Sequence, residues 1–314
     1  MAAIIGTGSV AWGFQLPIQS QSTIYAQPWE ADSGPAELLE ITQAADRAGA
    51  LYVAVCDHVA IPRPSDDAMS AVWYDTVATL SWLGGQTERV GLLSHVYVLG
   101  YRHPLITAKA FNTLDHLTGG RAILGVGAGH LQSEFELLGA DFDGRGPALN
   151  EAIEVVRAAF TEDYPTVGGP GAQVGVGMLP RPARAGGPPI WVGGSSKAAI
   201  VRAARLSDGW LPQGPPKMGV KAAIELIHAT RAEAGLPPEF DLGVNCEPVY
   251  LGTPSHEVSE WTVVGGADEV AARLRRYVDR GMNQLQVRFT ATSSAEYAEQ
   301  VERFGTEVAP LLSV

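Results

Sequence analysis

Short apolar runs alternate with longer amphipathic stretches along most of the chain. The runs Trp12–Leu16, Leu51–Cys56, Val90–Leu99, Arg121–Val126, Ile190–Val192, Gly209–Leu211, Leu242–Leu251 and Gln284–Phe289 read as buried strands. Helical spacing between them predicts helices over roughly 35–49, 75–86, 145–161, 197–206, 217–235, 267–281 and 293–312. The clearest helix lies in HPLITAKAFNTLDHLTGG. There Pro104 suits a first turn, Gly119 suits a C-terminal cap, and Ile106, Ala110, Leu114 and Leu117 fall on one face. Strands each followed by a helix predict a (β/α)8 TIM barrel, although a doubly wound open sheet shares the pattern. Segment 162–188 is rich in Gly and Pro and reads as an excursion from the barrel before strand five. With no internal repeat and no linker between separate cores, residues 1–314 read as a single domain.

Composition narrows the classes. A net charge of −12 argues against a nucleic-acid groove, which needs clustered Lys and Arg, yet leaves room for one local basic spot that binds a small anion. Cys56 and Cys246 are far apart and without metal-type spacing, as suits a reducing cytoplasm. The first residues lack a basic n-region, and no apolar run reaches the length of a membrane span. The expectation is a soluble cytoplasmic protein.

In a barrel of this type, chemistry gathers where the strands end. Strand two runs out at Asp57 and His58. The imidazole suits a general acid or base that a carboxylate orients or charges; the plainer reading is a polar pair held by loop backbone. His95 follows an apolar strand and reads as a hydrogen-bonded scaffold residue or as part of a site. With His58 and His130 it raises a metal site, but no HxH on strand one and no HExxH supports one, so no metal is expected. In LGVGAGHLQSEF, glycines at 125, 127 and 129 only partly match a dinucleotide fingerprint. They read as a strand end where backbone approaches something flat or crowded, or as a bare tight turn. Gly193, Gly194, Ser195 and Ser196 run from strand five into a helix next to Lys197, which suits a phosphate or an ordinary Ser N-cap. Together these places would let a flat, phosphate-bearing cofactor lie across the barrel mouth. Tyr25, Trp29, Trp73 and Tyr97 suggest an apolar substrate pocket or rim packing.

Three stretches in order, GYRHPLITAKAFNTLDHLTGGRAILGVGAGH, EFELLGADFDGRGPALNEAIEVVRAAFTED and PPIWVGGSSKAAIVRAARLSDGW, resemble the luciferase-like monooxygenase superfamily. More narrowly, they look like its branch that uses the deazaflavin coenzyme F420; relatives that use FMN share the barrel and the phosphate site. The resemblance covers about residues 35 to 215. It implies a non-prolyl cis peptide at His95–Val96 that bulges against the cofactor ring, with Ala128, Gly129 and His130 near the ring or ribityl chain. It implies Gly193 to Ser196 as the phosphate cradle and His58 as the base, with Asp57 orienting it. His130 stands where some sugar-phosphate-oxidising members have a glutamate, which puts that substrate class in doubt. Arg145 would reach the cofactor's anionic side.

The resulting expectation is an F420-dependent oxidoreductase. It would pass a hydride between deazaflavin C5 and a small, apolar alcohol or carbonyl, enone or imine. His58 is the first choice for proton transfer and His130 the second. The alternatives are an FMN-dependent monooxygenase using reduced flavin and oxygen, and a non-catalytic deazaflavin- or flavin-binding protein. The family also suggests a homodimer, with no nucleic acid or membrane partner.

Overall fold

The computed structural model describes residues 3–63, 65–167 and 174–312. Eight strands form the barrel: β1 Ala11–Gln15, β2 Tyr52–Val55, β3 Gly91–Ser94, β4 Ala122–Gly127, β5 Ile190–Val192, β6 Gly209–Trp210, β7 Asp241–Leu251 and β8 Gln284–Phe289. Each pairs in parallel with the next, and β8 returns to β1 through Ala11 opposite Gln284. The ring is closed, which removes the open-sheet alternative. Each strand is followed by a helix: α1 Pro35–Ala48, α2 Thr76–Gly84, α3 Pro104–Leu117, α4 Arg145–Thr161, α5 Lys197–Leu206, α6 Val220–Glu233, α7 Ala267–Val278 and α8 Ser294–Arg303.

Side-chain alternation sorts the core into two zones. On β2, Val53 and Val55 face the helices while Tyr52 and Ala54 point into the barrel. On β4, Leu124 and Val126 face outward, and the inner positions read Ile123, Gly125 and Gly127 from the bottom upward. The barrel floor is therefore filled by Tyr52, Leu93, Ile123 and Trp191, whereas two glycines leave room nearer the mouth. Below, the buried Asp241 carboxylate accepts the Ile4 and Ile5 N–H groups and Trp191 Nε1–H, which closes the floor.

Three sequence expectations are revised. The run Val90–Leu99 is not one strand. It breaks at a cis peptide between His95 and Val96, and only Tyr97–Val98 resumes pairing, opposite Val126 and Gly127. On α3 the buried face is not Ile106, Ala110, Leu114 and Leu117: Ile106 and Leu117 are largely exposed, and the helix buries Thr107, Ala108, Phe111, Asn112, Leu114 and Asp115. Polar residues can lie on that face because Asn112 donates to the Ala159 and Met178 carbonyls, and Asp115 accepts the Ala122 and Arg184 N–H groups. After α8 the chain does not continue as one helix but widens into a π turn over Phe304–Val308. A Cβ on Gly305 would there sit 2.3 Å from the Ala48 carbonyl oxygen at the end of α1. Within 162–188, Thr166–Val167 pairs antiparallel with Val174–Gly175, while 168–173 fall outside the described residues.

Candidate active site

Asp57 and His58 leave β2 at the mouth, but they do not interact with each other as the pair suggested. Asp57 is buried, and its carboxylate takes both Arg102 nitrogens, at 2.7 and 3.0 Å, together with the Val98 N–H at 2.8 Å. Arg102 in turn lies 4.1 Å over the Tyr97 ring. This bidentate pair fastens the segment after the cis peptide to β2, so Asp57 shapes the mouth rather than orienting the base. The carboxylate at His58 is Glu134, from a short helix Gln132–Leu137 that follows β4. Glu134 is fully buried. Its Oε2 accepts His58 Nδ1–H at 2.8 Å and Tyr101 O–H at 2.7 Å, while Oε1 accepts the Val59 and Ala60 N–H groups at 2.6 and 3.1 Å. Burial alone would raise this carboxyl's pKa, but hydrogen bonds from His58, Tyr101 and Ala60 outweigh it and pull the value down to about 2.

An ionised carboxylate can only accept, so it fixes a proton on Nδ1 and makes Nε2 the ring nitrogen through which His58 can exchange a proton. Trp73 covers the His58 ring at 4.4 Å between centroids, and His130 meets it edge-on at 5.8 Å. His130 stands at the open rim. The protein backing its ring and the neighbouring His58 lower its proton affinity below that of ordinary histidine. The β2 end thus presents an imidazole whose Nδ1 is held by a buried carboxylate, under an indole, with Nε2 left for a proton exchanged with a ligand.

The cis peptide lies beside this cluster. The His95 imidazole is buried and donates through Nε2 to the Leu211 carbonyl at 3.1 Å; burial holds its pKa down to about 4, so the ring is neutral. Nδ1 is then a buried acceptor without a protein partner among the described residues. His95 itself is scaffold, and Val96 is the partly exposed residue of the bulge. The glycines find their reason here. A Cβ on Gly127 or Gly193 would lie 2.5 Å from a Val96 methyl, and one on Gly125 would lie 2.1 Å from the Ser94 carbonyl oxygen. Gly129, at φ 80°, has no room for a Cβ beside Phe135 and Val98. What crowds this strand end is the protein's own bulge. Ala128 is only partly buried and packs against the core.

Across the mouth, Gly193 and Gly194 lead to Ser195 and to Ser196, which caps α5 by accepting the Ala199 N–H at 3.2 Å. The plain N-cap is what forms here; it leaves the N–H groups of Lys197 and Ala198 in a first turn that has no intrahelical acceptors for them. Arg145 spends Nε on the Gly129 carbonyl and Nη1 on the Phe142 carbonyl, stacked 3.7 Å over Phe142. It clamps the loop after β4 rather than standing free for an anion.

A cavity of about 200 Å³ opens on the far side of the mouth, at the ends of β1, β7 and β8. Gln15, Gln213, Asn245 and Gln286 line it with Glu30, Arg288 and Tyr25, so it is amphipathic rather than the apolar pocket expected. It joins the bulge at Gln213, whose Nε2 donates to the His95 carbonyl at 3.1 Å. Trp29 packs on Tyr297 and Tyr97 is buried against Phe111, so neither offers a pocket wall. Among the described residues, no three His, Cys, Asp or Glu are grouped to hold a metal ion, and no helix is long and apolar enough to cross a membrane.

Glu134, Tyr101 and Arg102 were missed from the sequence. All three are ordinary polar residues there, and only the fold brings loops from β2, β3 and β4 together around them.

Several known proteins are similar to this chain. The F420-dependent glucose-6-phosphate dehydrogenase of Intrasporangium calvum is 27% identical over 335 residues, covering 90% of this chain and 97% of that protein. The FMNH(2)-dependent dimethylsulfone monooxygenase of Pseudomonas putida is 30% identical over 176 residues, covering 55% of this chain and 48% of that protein. The solved F420-dependent secondary alcohol dehydrogenase in complex with an F420-acetone adduct superposes with a TM-score of 0.73 at 18% identity, covering 97% of this chain and 99% of that one. A closed barrel with this bulge, and a family model, Luciferase-like monooxygenase, that matches residues 11–260, lead to one conclusion: the chain belongs to the luciferase-like monooxygenase family.

Proposed function

We propose that the protein is an F420-dependent oxidoreductase acting on a small organic substrate, an alcohol or its carbonyl, an enone or an imine. The observation that carries this is the Glu134–His58 pair at the end of β2: an imidazole whose Nδ1 is held by a buried carboxylate and whose Nε2 is left for the substrate, next to the Val96 bulge. The residues fit a planar, phosphate-bearing group. Gly127 and Gly193 carry no side chains where Val96 rises, and the first turn of α5 has free N–H groups for a phosphate. When bound, a deazaflavin supplies a carbon, C5, that gives or takes a hydride.

The chain's own residues do the rest. His58 Nε2 takes the proton from a substrate hydroxyl, or returns it in the reverse direction, and Glu134 stabilises the imidazolium that forms. Trp73 shields that proton transfer from water on one side. Asp57 and Arg102 hold the bulge segment in place. His130 is the second choice for the proton, 5.8 Å from His58 between ring centroids. His58→Ala should lower turnover by about 10²–10⁴-fold and leave cofactor affinity nearly intact.

The F420-dependent relatives support this cofactor. The FMNH(2)-dependent relative favours a second reading, a monooxygenase that uses reduced flavin and oxygen. Titrating the purified protein with oxidised F420 and, separately, FMN while following fluorescence decides between them. Micromolar or tighter F420 binding with no FMN response supports the proposal, and the reverse preference refutes it. We also propose a homodimer through the exposed apolar strip of α2 and α3, where Trp82, Ile106 and Leu117 are uncovered. Ile106→Lys should then halve the mass seen by light scattering, and a monomeric parent protein would refute the dimer.

A further inference from the structure

The cavity at the ends of β1, β7 and β8 is lined by four side-chain amides, Gln15, Gln213, Asn245 and Gln286. An irregularity of β7 sets two of them side by side. Asn245 lies opposite Gln286 and Pro248 opposite Arg288, so β7 takes three steps where β8 takes two. Asn245, Cys246 and Pro248 all line the cavity as a result, while Glu247 turns out to α7 and accepts Arg273 Nε–H at 3.1 Å and Tyr277 O–H at 2.6 Å. The Asn245 amide is not free to flip. Its Nδ2 donates to the Gln213 carbonyl at 3.0 Å, and a reversed amide would set oxygen against oxygen there. That leaves Asn245 Oδ1 a buried acceptor without a partner among the described residues. Gln286 is held the other way round: its Oε1 accepts Tyr52 O–H at 3.3 Å, which leaves Nε2 as a donor. Across β7 and β8 the wall thus shows one acceptor beside one donor.

The lining carries one carboxylate and one guanidinium, so it has no net charge to select an ion. Glu30 is already taken by the Ile18 and Gln27 N–H groups, at 2.8 Å each, and Arg288 lies over the Tyr25 ring and donates to the Tyr25 carbonyl. A buried acceptor left without a donor is costly, so a ligand that shuts water out of the cavity without offering Asn245 an N–H or O–H forfeits affinity. We propose that the cavity holds the unreacting part of the substrate and selects an amide edge, an N–H beside a C=O, as in a lactam or a carboxamide. Asn245 Oδ1 accepts the N–H, and Gln286 Nε2–H donates to the C=O. Asn245 is then the residue that sets specificity, and a plain hydrocarbon alcohol or ketone is a poor substrate. The proposal rests on the mouth being the place where a small organic substrate reacts.

The test is a ligand-observed NMR titration of the purified protein with three probes of one ring size: δ-valerolactam, N-methyl-δ-valerolactam and cyclohexanone. The lactam should bind about 5- to 150-fold more tightly than either of the others, the loss expected when a buried acceptor goes unpaired. Asn245→Leu, of similar volume, should bring the three together, and Gln286→Met should weaken all three, since each offers a carbonyl. The lactam should keep its affinity when oxidised F420 is added. Equal binding of the three probes by the parent protein, or binding of none, would overturn the proposal and leave the cofactor reading intact. Displacement of the lactam by F420 would mean that the cavity reads the amide edge of the cofactor ring, and would overturn the substrate assignment alone. An intact lactam preference in a protein that does not bind F420 would support the cavity assignment and refute the cofactor reading.

Discussion

Replacing Glu134 by Gln tests the site's central contact with little change of shape. Four donors converge on the Glu134 carboxylate: His58 Nδ1–H, Tyr101 O–H and the N–H groups of Val59 and Ala60. Two ionised oxygens can satisfy all four. Glutamine has one oxygen and an NH₂. Kept on Val59 and Ala60, that oxygen leaves the NH₂ facing Tyr101 and His58. The reverse flip would strand two backbone donors at about 1–3 kcal/mol each, so the first arrangement wins. His58 must then accept at Nδ1 and carry its proton on Nε2, where it can no longer take one from substrate. Turnover, followed by deazaflavin absorbance with the best substrate found, should fall by about 10²–10⁴-fold. The cofactor dissociation constant should barely move. Nitrogen-15 NMR of the imidazole reads the tautomer directly and should show the proton moving from Nδ1 to Nε2. Tyr101→Phe, which removes one donor and leaves the tautomer alone, should have a far smaller effect. A Glu134→Gln protein with near-normal turnover and an unchanged tautomer would refute the positioning role. A switched tautomer with normal turnover would show that His58 is not the base.

Glu134 also sets a pH dependence. Its carboxyl sits at about 2 against an ordinary 4.5, so between those values the unfolded chain binds more protons than the folded one. The stabilisation is therefore present above about pH 4.5 and is lost as pH falls toward 2, at most about 3 kcal/mol, and Glu134→Gln should flatten that part of an acid-unfolding curve. Asp57→Ala should destabilise by about 3–5 kcal/mol, read as a lowered denaturant midpoint, because Arg102 and the Val98 N–H lose their partner; a loss under about 1 kcal/mol would deny the pair its role. Gly127→Ala drives a Cβ against Val96 and should lower stability by about 1–3 kcal/mol while weakening cofactor binding. Gly214→Ala, with no atom within 4 Å of its added Cβ, should change neither measurement.

Much of the barrel was legible in the sequence. Strands such as Ile190–Val192 and Gln284–Phe289 were bounded as found, because a short wholly apolar run and a polar–apolar alternation are both patterns carried within the stretch itself. The first turn at Pro104 and the Ser196 cap were equally local, since a cap is settled within three residues of chain. The α3 face was not. Whether Ile106 or Asn112 is buried depends on which carbonyls the loops bring to that helix, and Asn112 found two.

The same division runs through the site. His58 could be singled out by residue type and by its place at a strand end, both properties of the chain alone. Its partner could not. Asp57 adjoins it in sequence yet turns to Arg102, while Glu134, seventy-six residues on, supplies the carboxylate. Asp57 and His58 lie just past the strand end, where neighbours turn to different partners, and it is the pairing of β2 and β4 on either side of β3 that brings their loops within hydrogen-bond reach. The glycines divide likewise. Their positions were visible in LGVGAGH, but that they clear space for Val96 follows from strands packed side by side in a closed barrel. The sequence determined which residues could do chemistry; the tertiary structure decided which of them meet, because contact between distant loops is a property of the order of strands in the sheet and not of any stretch of chain.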